Sequence, residues 1–211
     1  MSKPTHLKLV LLALLLLSWG HRAANAQNWH QILKATSSAG GAGAMFGYSV
    51  AISGELAIIG AQTDNNTGAA YIFAKDENGN WAQQARLTAD DGAAGDKFGY
   101  SVAISGDYAI VSAGYDDTES GENTGSAYIF KNDGAGNWQQ QDKLIPTDGD
   151  SKTNNYFGQA VAISGDIALV GAWGAGGAGS IVEGEGSQPG VAYVFKNDGA
   201  GNWQQQDKLI P

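Results

Sequence analysis

The densest group of potential metal ligands in this sequence is an acidic run near the middle of the chain. It contains Asp116, Asp117, Glu119 and Glu122, with backbone carbonyl groups between them. Calcium takes about six to eight oxygen ligands, which carboxylates and carbonyl groups can supply. The run therefore predicts a calcium site, although its spacing differs from that of the EF-hand loop. The alternative is a solvated loop whose Asp and Gly residues only satisfy turn geometry.

Tryptophan residues form the second group that could contact a ligand. Trp81, Trp138 and Trp203 each begin a segment that contains glutamine pairs, and aromatic rings with amide groups suit sugar rings. These three residues occupy equivalent positions in related segments, which favours a packing role over a sugar platform. Trp173 has no such counterpart and begins a variable loop that ends at Pro189. We therefore predict that Trp173 contacts the ligand.

Residues for catalysis are scarce in this chain. There is no cysteine, and the 3 histidines include His6 and His21, which lie in an N-terminal segment that we expect to be removed. His30 would then stand alone, whereas a catalytic triad or a zinc site needs partner residues. No pair of acidic residues is singled out as the carboxylates of a glycosidase. We therefore predict a protein that is not an enzyme, with a carbohydrate-active module as an alternative.

Residues 1–26 have the pattern of a secretory signal peptide. A positively charged start precedes the apolar run from Leu9 to Leu17, and Ala24-Asn25-Ala26 fits a cleavage site. We expect residues 27–211 to be secreted and to act outside the cell, at the cell surface or in a periplasm. No later run is long enough to cross a bilayer. The net charge of −9 argues against nucleic acid as a partner, because an acidic surface repels phosphate groups.

The candidate residues must be positioned by a repeated unit. The nine residues Phe46 to Gly54 return unchanged at 98–106 and in a related form at 157–165. A repeat of about 50 residues is typical of the blades of a propeller. Apolar and small residues alternate within each copy, and a Gly-Glu or Gly-Asp turn follows, as expected for antiparallel strands.

The repeats predict an all-β fold with a β-propeller of four-stranded antiparallel blades. They run from about 46 to 88, 98 to 146 and 157 to 211, and the fourth strand of each begins with tryptophan. Residues 29–34 look like an orphan copy of that fourth strand. Three complete blades fall short of the about four to eight that close a propeller. The flanks would therefore be open and apolar, which predicts self-association or further blades in a larger protein.

The repeated motifs resemble those of the FG-GAP repeat, which builds the propeller of integrin α-subunits and occurs in bacterial secreted proteins. Phe-Gly opens each copy, at residues 46–47, 98–99 and 157–158. A pair of small residues ends the second strand, and the third strand carries Gly-x-Ala-Tyr-Ile/Val-Phe, as in Gly68 to Phe73. The third motif residue of the family, proline, is absent.

The resemblance implies a binding or adhesion scaffold that recognises an extracellular protein or glycan through its loops. It does not carry over the calcium loop that integrin-type repeats insert between strands one and two. That connection is only Gly-Glu or Gly-Asp in this chain, and one carboxylate cannot supply a calcium shell. The sequence is therefore similar to the short bacterial variant of the repeat. Another interpretation is a structural module of a larger surface protein without a ligand of its own.

Overall fold

The computed structural model describes residues 34–36, 41–148, 153–175 and 189–211. The predicted signal peptide, residues 29–33 of the predicted orphan strand and most of the loop that begins at Trp173 lie outside these ranges. The described residues form twelve β-strands and one short 3-10 helix, Asp64–Asn66. No helix in this part of the chain has both the length and the apolar character needed to span a membrane.

The strands form three antiparallel sheets of four strands, each a simple meander in chain order. We call these sheets blades 1, 2 and 3. Blade 1 contains β1 (Ser49–Ser53), β2 (Leu56–Ala61), β3 (Ala69–Lys75) and β4 (Trp81–Leu87). Blade 2 contains β5 (Phe98–Ser105), β6 (Tyr108–Ala113), β7 (Ser126–Asn132) and β8 (Trp138–Leu144). Blade 3 contains β9 (Phe157–Ser164), β10 (Ile167–Ala172), β11 (Val191–Asn197) and β12 (Trp203–Leu209). The predicted all-β fold of four-stranded blades is confirmed.

The glycine of the Phe-Gly motif is required by a close approach between blades. Gly99 has φ +88°, and a side chain on it would overlap the carbonyl oxygen of Ala69 in blade 1. Gly68, at the start of the third-strand motif, has φ +95° and lies equally close to the backbone of Phe98. Only glycine tolerates both the left-handed conformation and the lack of space. The two motif glycines therefore fix the seam between neighbouring blades.

The two faces of each blade pack against different neighbours. We call the face toward the preceding blade the leading face and the face toward the following blade the trailing face. Val102 and Ile104 on the leading face of blade 2 are both 6% exposed, because they pack into a core with residues of blade 1. Ile58 and Leu87 on the trailing face of blade 1 lie in the same core. The apolar core of this fold therefore lies between blades.

A β-bulge interrupts the pairing of the third and fourth strands at the same place in every blade. The register leaves one extra residue there, which is Gln84, Gln141 or Gln206. A bulge redirects a side chain, and in blade 1 it brings the Gln84 Oε1 atom to 2.9 Å from the indole Nε1 of Trp138, which donates a hydrogen bond. The side chain of Gln141 lies against Gly201 of blade 3, as that of Gln84 lies against Gly136 of blade 2, but within the described residues Gln141 Oε1 and the Trp203 indole N–H are not hydrogen-bonded. The recurring tryptophans thus pack between blades.

Candidate functional site

Five aromatic rings form a continuous row that crosses all three blades. We call Tyr48, Tyr100, Tyr115, Tyr156 and Trp173 the aromatic row. Successive ring centroids along it are separated by 5.2, 6.0, 5.4 and 5.1 Å. The last two rings are stacked with an angle of 3° between their planes, while the others meet at an angle. Such contacts each add about 0.5–1.5 kcal/mol beyond area burial, so the row supports itself.

Two kinds of position in the repeat carry these rings. Tyr48 and Tyr100 follow the Phe-Gly motif, Tyr100 within β5, whereas Tyr115 and Trp173 lie in loops after the second strand of their blades. Tyr156 precedes the Phe-Gly motif of blade 3 and has φ +51°, a left-handed conformation that is unusual for a residue with a side chain. Lys97 occupies the equivalent position in blade 2, with φ +58°. Met45 has the same conformation in blade 1, with φ +55°, so this backbone geometry belongs to the repeat.

The ends of the aromatic row are open to solvent. The exposed fractions are 49% for Tyr48 and 54% for Trp173, and the three rings between them are half-buried. The hydrogen bond with the Tyr48 side chain and burial together raise the pKa of Tyr100 to about 12. The hydroxyl of Tyr100 therefore stays protonated at neutral pH and can serve as a hydrogen-bond group. The Lys97 ammonium lies 4.1 Å from the ring centroid of Tyr115, which adds a cation to the row.

The acidic loop borders this row. The backbone N–H groups of Asn154 and Tyr156 donate hydrogen bonds to the carbonyl oxygens of Glu122 and Asn123, at 2.9 and 3.2 Å. The exposed side chain of Asp117 accepts a hydrogen bond of 2.8 Å from the backbone of Asn123, which closes the loop on itself. The backbone of the acidic loop therefore borders the aromatic row beside Tyr156.

Asp116 does not face this loop surface but the interior of blade 2. Its side chain is 6% exposed, and its Oδ2 atom lies 2.8 Å from Lys143 Nζ. The same oxygen accepts hydrogen bonds from the hydroxyl groups of Ser126, at 2.5 Å, and Tyr128, at 3.2 Å. Although burial opposes the charge of Lys143, its hydrogen bonds to Asp116 and Asp91 raise its pKa. Asp116 therefore holds a structural ion pair.

The equivalent positions in the other blades show that this ion pair belongs to the repeat. In blade 1, Asp64 is completely buried and pairs with Arg86 at 2.9 Å, while Tyr71 donates a hydrogen bond of 2.6 Å to it. In blade 3 the position is taken by Ala175, and the buried hydroxyl of Tyr193 has no hydrogen-bond partner among the described residues. The same polar network thus occurs within blade 1 and within blade 2. It joins a carboxylate after the second strand to a tyrosine on the third strand and a cation on the fourth.

The four predicted calcium ligands are not brought together. Asp116 points inward, whereas Asp117, Glu119 and Glu122 are exposed. Within the described ranges, no group of three or more His, Cys, Asp or Glu side chains is arranged so that it could hold a metal ion. The calcium site therefore stays a prediction from the sequence, and the geometry of Asp116 favours a structural role for that residue.

Trp173 is exposed and lies at one end of the aromatic row, and its contact with a ligand stays a prediction from the sequence. Sequence reasoning missed the four tyrosines that continue the row. Their common signal was an aromatic residue beside the Phe-Gly motif or directly after the second strand. That signal was hidden because the four residues are far apart along the chain and meet only across blade boundaries.

A cleft lies at each boundary between neighbouring blades, and the one between blades 1 and 2 is lined mainly by polar groups. The cleft between blades 1 and 2 has a volume of about 420 Å³ and includes Arg86, Asp90 and Trp138. The cleft between blades 2 and 3 has a volume of about 280 Å³ and includes Thr147 and Trp203. The indole N–H of Trp138 is already bonded to Gln84, so the tryptophan of the first cleft serves the blade contact.

Comparison with known proteins agrees with this architecture. The family model of the FG-GAP repeat matches residues 29–73, 81–130 and 138–195, so the chain belongs to the FG-GAP repeat family. The second and third matched units begin on the tryptophan strand of one blade and end on the third strand of the next, so each of these two units crosses a blade boundary.

The search among curated proteins found no match. Among solved structures, the chain is similar to a variant of the Bombyx mori GH32 β-fructofuranosidase in complex with sucrose, with 11% sequence identity and a TM-score of 0.39. The similarity covers 74% of this chain and 33% of that enzyme, so the chain spans about a third of the length of the protein it resembles.

Proposed function

We propose that this protein is a secreted or surface-displayed binding scaffold that recognises a glycan or a protein through the aromatic row and does not catalyse a reaction. The observation that carries the proposal is the unbroken row from Tyr48 to Trp173, which is open at both ends and is bordered beside Tyr156 by the backbone of the acidic loop. Aromatic side chains dominate the energetics of binding sites, because they bury a large area at a small entropic cost. Membership of the FG-GAP family supports a role in extracellular binding or adhesion.

The negative charge beside the aromatic row limits the classes of ligand that the row would bind. The loop next to Tyr156 presents Asp117, Glu119 and Glu122, and the whole chain has a net charge of −9. These charges would repel an anionic polysaccharide and would favour a neutral glycan or a basic protein segment. The stacked pair of Tyr156 and Trp173 offers the flattest part of the row.

The test is a screen on a glycan array and on immobilised extracellular proteins, with the wild type and Trp173→Ala in parallel. Asn78→Ala is the control, because Asn78 is exposed in a turn of blade 1 and lies outside the row. We expect Trp173→Ala to weaken binding by about thirtyfold or more, as truncation of a large aromatic side chain at a binding hot spot does. Asn78→Ala should bind as the wild type does. A ligand that binds variants of Trp173 and Tyr156 as tightly as it binds the wild type would contradict the proposal.

A further inference from the structure

The same two surfaces that join neighbouring blades are left exposed at the two flanks of the described three-blade unit. Val50 and Ile52 on the leading face of blade 1 are each 67% exposed, whereas Val102 and Ile104 at the equivalent positions of blade 2 are each 6% exposed. The nine residues from 46 to 54 are identical to those from 98 to 106. The leading flank of blade 1 therefore carries the same first-strand chemistry that blade 2 buries.

The trailing face of blade 3 shows the complementary difference. Leu209 is 49% exposed, whereas Leu144, its equivalent in blade 2, is 2% exposed. Leu169 is 40% exposed, and its counterpart Ile110 is completely buried. Residues 196–211 repeat residues 131–146 without a change, so the fourth strand of blade 3 offers the surface that the fourth strand of blade 2 uses to bind blade 3.

Polar contacts at the internal boundaries also have unused counterparts at the flanks. The backbone N–H of Gly106 donates a hydrogen bond to Ser53 Oγ at 3.3 Å, and Gly165 donates to Ser105 Oγ at 3.1 Å. The next members of this series are Ser164 on blade 3 and Gly54 on blade 1, and both are exposed.

The bulged glutamines form a second series of this kind. Gln84 and Gln141 each reach the next blade, whereas Gln206 on blade 3 is exposed. The tryptophan that would meet Gln206 in this series is Trp81 of blade 1, which is half-buried. Both the apolar and the polar halves of the blade contact are therefore present at opposite ends of the chain.

We propose that the trailing face of blade 3 docks onto the leading face of blade 1 of a second copy, with the contacts that join blades within one chain. Such a head-to-tail contact either closes into a ring or continues as a filament. Two copies of the described three-blade unit supply six blades, which is within the range of about four to eight that closes a propeller, whereas three copies of it would exceed that range. A closed dimer with two identical junctions is the arrangement that buries both flanks. This dimer goes beyond the proposed binding function, which the aromatic row of one chain could perform alone.

The experiment measures the solution mass of the purified protein and of two flank variants by light scattering after gel filtration. Ile52→Asp places a charge on the leading flank, and Leu209→Asp places one on the trailing flank. Both side chains are exposed in a single copy, so neither change should disturb its folding, which circular dichroism checks. Asn78→Asp adds the same charge in an exposed turn of blade 1 and is the control.

We expect a dimer for the wild type and for Asn78→Asp. Each flank variant should weaken self-association by about thirtyfold or more, because a charge is buried without a partner. The decisive sample is an equal mixture of Ile52→Asp and Leu209→Asp. In a head-to-tail dimer one of the two junctions is intact in the mixture, so it should form a heterodimer more tightly than either variant associates with itself.

Several results would overturn the inference. A wild type that stays monomeric at high micromolar concentration would do so, and so would an open polymer in place of a dimer. A dimer that only one of the two variants disrupts, with no recovery in the mixture, would indicate a symmetric contact of one flank with itself.

Discussion

Replacing Asp116 with alanine should unfold the protein more easily, because it removes the centre of a buried polar network. The Oδ2 atom of Asp116 accepts hydrogen bonds from Ser126 and Tyr128 and pairs with Lys143 at 2.8 Å. Breaking a fully buried ion pair costs about 3–5 kcal/mol. Lys143 is 29% exposed and keeps Asp91 at 2.6 Å, so the electrostatic part of this cost is reduced.

The rest of the lost free energy of unfolding comes from the groups that lose Asp116 as a hydrogen-bond or ion-pair partner. Ser126 is completely buried, and a buried hydroxyl without a partner costs about 1–3 kcal/mol. Tyr128 retains a hydrogen bond of 3.0 Å to Asp91, so its loss is small. With about 1 kcal/mol for the weakened Lys143 pair, we expect Asp116→Ala to lower the free energy of unfolding by about 2–4 kcal/mol.

The assay is urea unfolding followed by tryptophan fluorescence, with calcium and with a chelator. Asp91→Ala is the matched control, because Asp91 binds the same lysine but its side chain is 51% exposed, and it should cost about 0.5–1 kcal/mol. The structural role predicts that Asp116→Ala is equally destabilising with and without calcium. A cost no larger than that of Asp91→Ala would refute the network argument. A calcium-dependent gain in wild-type stability that Asp116→Ala abolishes would show that this residue is a metal ligand after all.

Three further predictions concern the glycine seam, the turns and the missing carboxylate. Gly99→Ala should lower the free energy of unfolding by about 3 kcal/mol or more, because Gly99 has φ +88° and a side chain there would overlap Ala69. Gly95→Ala should lower it by only about 1–2 kcal/mol, since Gly95 has φ +100° but open space around it. Urea unfolding measures both values. Hydrogen bonds from Asn137 and Ala135 hold the pKa of Asp133 below its usual value. The ionised carboxylate of Asp133 therefore stabilises the fold above the unfolded pKa of about 3.9, and this contribution is lost as the pH falls through the folded pKa. The difference in thermal midpoint between the wild type and Asp133→Asn should shrink on acidification from pH 5, and a constant difference would contradict this. Ala175→Asp should supply the carboxylate that blade 3 lacks opposite Tyr193 and raise the thermal midpoint by about 2–4 °C, with Ala175→Asn as the uncharged control and a lowered midpoint as the opposing result.

The strands of this protein could be predicted almost to the residue, because their signals are local. The second strands, Leu56–Ala61, Tyr108–Ala113 and Ile167–Ala172, begin and end as the alternation and the turn glycines indicate. The fourth strands begin at the predicted tryptophans. Only the first strand of blade 1 is shorter than expected, since its pairing starts at Ser49 and not at Phe46.

The candidate site was harder to predict, because it depends on residues that meet only in three dimensions. In the sequence Asp116 is one residue of an acidic run, but in the fold its side chain points inward because it pairs with Lys143, which lies on β8 and is far from it along the chain. Trp173 was found because it has no counterpart in the other repeats. Tyr115 and Tyr156 stand on different blades, and their contact follows from how one blade packs against the next.

The sequence by itself determined the repeat, the four-stranded blade and the residues that join one blade to another. Burial was decided by tertiary structure alone. The segment around Val50 and the segment around Val102 have the same nine residues, yet these valines are 67% and 6% exposed. Identical residues have the same local preferences, but the free energy of burying an apolar side chain depends on whether another surface covers it. Blade 1 covers Val102, and no surface within the described part of the chain does the same for Val50.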